Sequence, residues 1–294
     1  MEILTSYSFR IIAMGTVLLA IVSAVVGSIN VYKGQSLIGD AMGHSTFAGI
    51  VLAYMMFQTR NPIVLLIGAM LSAALAYLLI EYSNRNSKIG LDANLAIYLS
   101  GFFGIGMVLK SYIQGNPNFE NASQSGLQNY IFGQAAYLLE LDVKLIAIAT
   151  VICLSIVLLL FREFKIYLFD REFAQIAQLP IKLMDYLVLF MTILVIGVGI
   201  KAVGAILISS FLIVPCISAN QWTNKFSMVM ILGAIFSSIS VLIGAYISML
   251  YTGLSTGPSI IIVSGIICGL SFLLGKNGIF RRRGDIRWLF HFMF

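Results

Sequence analysis

Asp40 and His44 stand four residues apart in the stretch Gly39-Asp40-Ala41-Met42-Gly43-His44-Ser45, near the start of an apolar run over 37–57. On a helix that spacing puts both side chains on one face, where they can meet. A carboxylate costs roughly 3 kcal/mol at the centre of a membrane-spanning helix on insertion scales, so such residues occur where they line a polar path, grip one another or hold an ion. Carboxylate plus imidazole also suits a divalent first-row metal. Lys33 precedes Asp40 by two helical turns, which places the pair roughly 10–17 Å from the inner face of a bilayer. Transporter sites tend to sit near that depth. The reading that follows is a path through a membrane for a divalent cation; the plainer one is a buried Asp–His couple.

The elements that must position this pair are apolar. The chain has 294 residues, 60% of them apolar and 10% charged, against about 25% charge in soluble domains. Composition therefore predicts an all-α, polytopic transmembrane bundle forming a single domain over 1–294. A barrel would show short alternating stretches instead of continuous apolar runs. About nine spans of the usual ~20 residues fit: 11–31, 37–57, 63–80, 93–112, 143–161, 183–200, 203–219, 226–250 and 258–274. The division near Lys201 is the least distinct, and eight or ten spans fit nearly as well. Residues 1–9 lack a basic residue before a first run long enough to span, which argues for a span there and against a cleaved leader.

Lysine and arginine set the orientation. With the carboxyl terminus inside, the inner loops and tail hold Lys33, Arg85, Lys88, Arg162, Lys165, Arg171, Lys182, Lys225, Lys276, Arg281, Arg282, Arg283 and Arg287. The outer side keeps Arg10, Arg60, Lys110, Lys144 and Lys201. This bias predicts a multi-pass protein of the cell membrane with an external amino terminus. The net charge of +6 is spread through short loops and the tail, so it points to membrane lipid and away from nucleic acid. Cys153, Cys216 and Cys268 lie in apolar runs without CxxC spacing and read as packing residues.

Two loops stand out. Residues 115–128 are polar and turn-rich, and the apolar stretch 130–139 after them is too short to span, as in a re-entrant or surface-lying helix. On the inner side, 170–179 predicts a short helix with Asp170 as N-cap and Pro180 as its stop. Phe173, Ile176 and Ala177 fall at i, i+3 and i+4, an apolar stripe on a helix that also carries Arg171 and Glu172. The stripe suits a helix lying on the membrane surface or a docking face for a cytoplasmic partner. Asp92 opens the fourth run from the inner side, where an N-cap is the cheaper explanation and a further step in the ion's exit the other. Glu81 reads as a solvated boundary residue and His291 as a surface residue of the tail. The 13 methionines are scattered, without the short-spaced pairs that copper would want.

Several segments together resemble the membrane permease subunit of the ABC importers for manganese, zinc and iron. They are residues 33–45 around Gly39-Asp40 and His44; Asp92-Ala93 with Gly104-Ile105-Gly106; Phe169-Asp170-Arg171-Glu172-Phe173-Ala174 with Leu179-Pro180; and Val203-Gly204-Ala205-Ile206-Leu207 through Pro215 and Ala219 to Thr256-Gly257-Pro258. They occur in order over 33–258. Cys216-Ile217-Ser218 after Pro215, where small residues are expected, and Gly43 before His44, where serine is common, depart from the pattern. The resemblance implies a second permease subunit, identical or similar, cytoplasmic ATP-binding subunits and an extracellular metal-binding lipoprotein. It implies that Asp40 and His44 meet the ion, and that the 170–179 segment, with Asp170, Arg171, Glu172, Phe173, Ile176 and Ala177, couples to the ATPase.

The chain itself has no ATP-binding loop: Gly269 to Gly275-Lys276-Asn277 has the wrong spacing and Asn where a magnesium-binding Ser or Thr belongs. It is therefore expected to be no enzyme and to hold no tight cofactor, the metal being cargo. Two ligands are too few for tight binding of a divalent ion, which suits a conduit that must also release it. The rival reading is a cation channel or proton-coupled metal carrier. An intramembrane metalloenzyme would need a denser ligand set such as HExxH, and a chelated cargo a wider, less charged path. Asp favours manganese and His favours zinc or iron; the likeness of Phe132-Gly133-Gln134-Ala135-Ala136 to the manganese and iron members tips the choice to manganese.

Overall fold

Each of the nine apolar runs folds as helix. The computed structural model describes residues 7–59, 61–116, 119, 133, 138–251 and 254–278. Within them lie α1 (Tyr7–Tyr32), α2 (Ile38–Phe57), α3 (Pro62–Asn86), α4 (Leu91–Gln114), α5 (Glu140–Leu159), α6 (Phe161–Phe169), α7 (Arg171–Ile176), α8 (Ile181–Asn220), α9 (Phe226–Leu250) and α10 (Thr256–Leu274), with no strand among the described residues. The 115–128 loop and the 130–139 stretch fall mostly outside the described residues, as do Arg60, the basic triplet 281–283 and His291 wholly.

Seven segments are long and apolar enough to cross a membrane: α1, α3, α4, α5, the first part of α8, α9 and α10. The chain is thus a multi-pass helical membrane bundle. α2 and the part of α8 after Gly204 are not among the seven, so length and hydropathy do not carry the expected nine. In α2 the cause is the polar Asp40, His44, Ser45 and Thr46. In α8 it is length, since Leu207–Asn220 covers roughly 21 Å against a hydrocarbon core of about 30 Å.

The sixth and seventh runs are two limbs of α8. Gly204 breaks the helix with φ 82° and ψ 166°, a conformation open to glycine and closed to most side chains. The chain reverses there, at Gly204 and not at Lys201. Asp185 in the first limb reaches Lys33 at 2.7 Å, while Asn220 at the end of the second accepts from the Tyr32 hydroxyl at 2.7 Å. The limbs also meet near the bend, where Ile208 lies against Gly199. Gly133 (φ 73°) sets its backbone against Val203 and Gly204 so closely that a Cβ would fall 2.1 Å from the Val203 carbonyl carbon. The second limb runs through the centre of the bundle. Its Ile208, Phe211 and Leu212 are buried with Leu19, Ile29, Met42 and Met191 in one core cluster.

Helix ends gather at two faces. At one, Lys33 pairs with Asp185, Tyr32 packs on Phe169 and Phe226, Phe161 stacks on Phe226, and Asn277 bonds to Asn220 and Asn224. This face joins the α1–α2 turn, α6, α7, the α8–α9 turn and the end of α10. Its lysines and arginines include Lys33, Arg162, Lys165, Arg171, Lys182, Lys225 and Lys276, and it is called the basic end below. At the opposite end Tyr7 bonds to Glu140, and Asp142 pairs with Lys201.

Candidate functional site

Asp40 lies in the first turn of α2, where the helix's free N–H groups favour a negative charge. His44 follows one turn later, and its Nε2 stands 3.5 Å from Asp40 Oδ1. That gap exceeds a hydrogen bond. It fits a shared ion instead: donors 3.5 Å apart, each about 2.1 Å from one metal, subtend roughly 110° at it. The Asp40 side chain is 35% exposed and that of His44 19%, so the pair opens to the outside of the single chain. Phe103 of α4 meets the imidazole edge-on at 5.3 Å, and His44 Nδ1 is buried without a partner.

The backbone around the pair is fixed by close helix contacts. A Cβ on Gly39 would come 2.5 Å from Leu212 Cδ1, and one on Gly106 would come 2.6 Å from Phe47 Cδ1. Gly49 and Gly68 bring α2 and α3 into backbone contact. Other polar groups nearby are satisfied within the protein: Ser45 and Thr46 donate to the carbonyls of Ala41 and Gly43, and Ser72 donates to that of Ser45. Gly49 and Gly68 meet backbone that cannot give way, and these small residues hold the helices around the site in place.

Asp92 is not brought to the pair. It is exposed in the first turn of α4, roughly 16 Å along the helix from Phe103. It is also not the N-cap, which is Gly90 in an extended conformation without a side-chain bond. The polar residue that anchors this end is Asn94, fully buried, whose Nδ2 donates to the Ile80 carbonyl at 2.8 Å. Glu81 pairs with Arg85 at the surface. No group of three or more His, Cys, Asp or Glu side chains could hold a metal among the described residues.

The inner helix forms as expected at its start and ends early. Asp170 caps α7, accepting from the Phe173 N–H at 2.9 Å. The helix stops at Ile176 and Pro180 plays no part. Gln178 takes φ 55°, Gln178 N–H donates to the Gln175 carbonyl and Leu179 N–H to that of Ala174. This is a Schellman closure, with Gln in the left-handed position. α7 presents two faces: Ala174 is fully buried, whereas Phe173 is 51% and Ile176 80% exposed, and Ala177, Arg171 and Glu172 are exposed beside them.

Two further carboxylates went unremarked in the sequence. Asp185, near the start of α8, accepts from Lys33 at 2.7 Å and from the Tyr167 hydroxyl, with Arg171 at 3.9 Å. Burial, then the bond to Asp185, pushes the Tyr167 pKa up, so its phenol stays protonated as the donor. Asp142 accepts from Lys201 at 2.7 and 2.8 Å and from the Leu139 N–H at 3.0 Å. Their lysine partners lie far off in sequence, and nothing local signals either ion pair.

The protein is thus a multi-pass helical bundle with a carboxylate–imidazole pair open on its flank and a capped short helix at one end. The chain belongs to the ABC 3 transport family, whose model matches residues 6–275. It is 36% identical over 277 residues to the zinc transport system membrane protein TroC of Treponema pallidum, covering 94% of this chain and 92% of that one. It is 35% identical over 266 residues to the manganese transport system membrane protein MntC of Bacillus subtilis, covering 90% of this chain but 60% of that one. The fold matches PsaBC from Streptococcus pneumoniae, solved in complex with Fab, with a TM-score of 0.83, 23% identity and 97% of each chain covered. The resemblance drawn from the motifs therefore holds: this is a membrane permease of the metal-importing ABC class.

Proposed function

We propose that the chain moves a divalent transition metal, manganese first, into the cytoplasm as one of two permease subunits driven by separate ATP-hydrolysing subunits and supplied by an extracellular lipoprotein. The observation that carries this reading is the Asp40–His44 pair: two donors at chelating separation, partly exposed, in a helix otherwise packed by glycine contacts. One chain offers two ligands, and a two-fold partner would bring a second Asp40 and His44 to complete a weak, open site. The basic end then faces the cytoplasm, and α7 offers Phe173, Ile176 and Ala177 as apolar anchors to a groove on the ATPase, with Arg171 and Glu172 at the rim. In that orientation the alternating helix directions, with the two limbs of α8 taken as an in-and-out pair and α2 as a crossing, give the amino terminus an external place. Asp92, exposed in the first turn of α4, is on this reading a further step in the ion's exit.

The test is uptake of radiolabelled manganese, with zinc and ferrous ions compared, in cells matched for membrane expression. Asp40→Ala should abolish uptake while the protein remains inserted and assembled; near-normal uptake would remove the pair from the mechanism.

A further inference from the structure

The carboxylate of Asp185 ties the α1–α2 turn to the consecutive elements α6, α7 and α8. Lys33 opens the α1–α2 turn, Tyr167 lies on α6, Arg171 opens α7, and Asp185 itself sits at the base of α8. The α1–α2 turn is stiff: Lys33, Gly34 and Gln35 N–H groups all bond back to α1 carbonyls at 2.9–3.0 Å, with Gly34 at φ 78°. α2 begins at Ile38 directly beyond it, with Asp40 in its first turn. Tyr32 adds an apolar strut, packing on Phe169 with ring centroids 5.2 Å apart. A short, continuous set of contacts therefore runs from the docking helix through one carboxylate to the helix that bears the ion pair.

We propose that Asp185 is a positioning residue for transport, setting α2 and its Asp40–His44 pair according to the state of α7. This rests on the reading of α7 as the docking helix. The arms differ in slack. Lys33 and Tyr167 hold Oδ1 closely, whereas Arg171 lies 3.9 Å from Oδ2 with its side chain 64% exposed. A partner seated on Phe173, Ile176 and Ala177 takes away part of the water around Arg171 at the rim of the contact. Its attraction to Asp185 strengthens in the lower dielectric, the long arm shortens, and the pull passes through Asp185 and Lys33 to the α1–α2 turn. The coupling is carried by named contacts between two sites, each biasing the other.

The test uses the assembled complex with its ATPase and metal-binding lipoprotein, reconstituted in vesicles and offered manganese, zinc and ferrous ions in turn. The quantity read is metal carried per ATP hydrolysed. Asp185→Asn and Tyr167→Phe should keep the ATPase bound and hydrolysing but lower that ratio by roughly tenfold, an ordinary coupling between sites. Asp185→Glu, which keeps the charge, should restore most of it. Tyr167→Phe removes only a hydroxyl and decides the matter if Asp185→Asn fails to assemble. A wild-type ratio in either assembled variant overturns the proposal. So does a loss of transport and hydrolysis in equal proportion, which marks a purely structural role. A wild-type complex that carries none of the three metals would instead sink the transport reading, and an ATPase that stays bound after Ala177→Arg would sink the docking reading.

Discussion

Asp40 and Asp185 begin from the same difficulty, a carboxylate in a helical bundle made for lipid, and the fold treats them in opposite ways. Asp185 is given a lysine at 2.7 Å, a tyrosine hydroxyl and the approach of an arginine. Asp142, at the other end, is given Lys201 at 2.7 Å and a backbone N–H. Asp40 is given a single imidazole at 3.5 Å, too far for a hydrogen bond. A saturated carboxylate has nothing left to offer an ion, and an undersupplied one does. α7 repeats the contrast in apolar terms: Ala174 is buried within the chain, while Phe173 and Ile176 face out. In both places the proposed function sits where the fold leaves a group unsatisfied.

The most direct way to break the comparison is to treat Asp40 as Asp142 is treated. His44→Lys puts a permanent cation one helical turn away, within reach of the carboxylate. Metal uptake should fall by more than roughly 100-fold, since even the partners of a metal ligand are worth 10–100-fold. Thermal stability in detergent should be unchanged or higher, because the carboxylate is now neutralised. A lysine variant that still carries metal would mean the ion does not pass by Asp40.

The second effect in size belongs to the exposed face of α7. Phe173→Ala should weaken ATPase docking by about 1–3 kcal/mol if the ring is a buried anchor. Ala177→Arg should weaken it more by placing an unpaired charge in the contact. Co-purification of the ATPase in detergent, with transport measured alongside, reads both. Retention of both activities in Ala177→Arg would move docking to another loop, with the α3–α4 turn next in line.

The saturated pair gives the third prediction. Asp142→Ala strands Lys201, but the lysine side chain is 30% exposed and water offsets part of the cost. We expect a loss of about 2 kcal/mol, below the 3–5 kcal/mol of a fully buried pair. It should appear as a lower melting temperature, with uptake per surviving molecule close to wild type. A selective loss of uptake at full stability would contradict the structural role given to Asp142.

The sequence made legible what local spacing encodes. Asp40 and His44 announce themselves by an i, i+4 step inside an apolar run, and Asp170 by its place before a short amphipathic stripe. What stayed hidden depends on contacts between distant segments or on one backbone angle. The reversal of α8 turns on Gly204, three residues past the division placed at Lys201, because a charge marks the edge of an apolar run in sequence whereas the turn depends on one backbone angle. The end of α7 was assigned to Pro180, the usual stop signal, although the left-handed Gln178 closes the helix first. Asp185 and Asp142 find their lysines across long stretches of chain. Asp92 was given a capping role on position alone, and Gly90 takes it by adopting the extended angles that precede a helix.

The smallest prediction concerns the two glycines flanking Asp40 and separates packing from chemistry. Gly39 and Gly43 lie one turn apart on the face of α2 that meets the second limb of α8. A Cβ on Gly39 would sit 2.5 Å from Leu212 Cδ1, so Gly39→Ala requires the tip of Leu212 to move. Overpacking of that kind costs about 1–3 kcal/mol, and it displaces the turn bearing Asp40. At Gly43 a Cβ meets Ala205 O at 3.6 Å and Ile208 Cγ2 at 3.8 Å, ordinary contact distances. Serine should therefore fit, and this departure from the family's pattern beside His44 should carry no cost to the ion path. Gly43→Ser should leave stability within about 0.5 kcal/mol of wild type and uptake unchanged, whereas Gly39→Ala should lower both. Melting temperature and manganese uptake, measured together on the two variants, decide it. Equal losses at both positions would mean that the second limb presses on α2 along its whole polar turn, and the room beside Gly43 would then be absent.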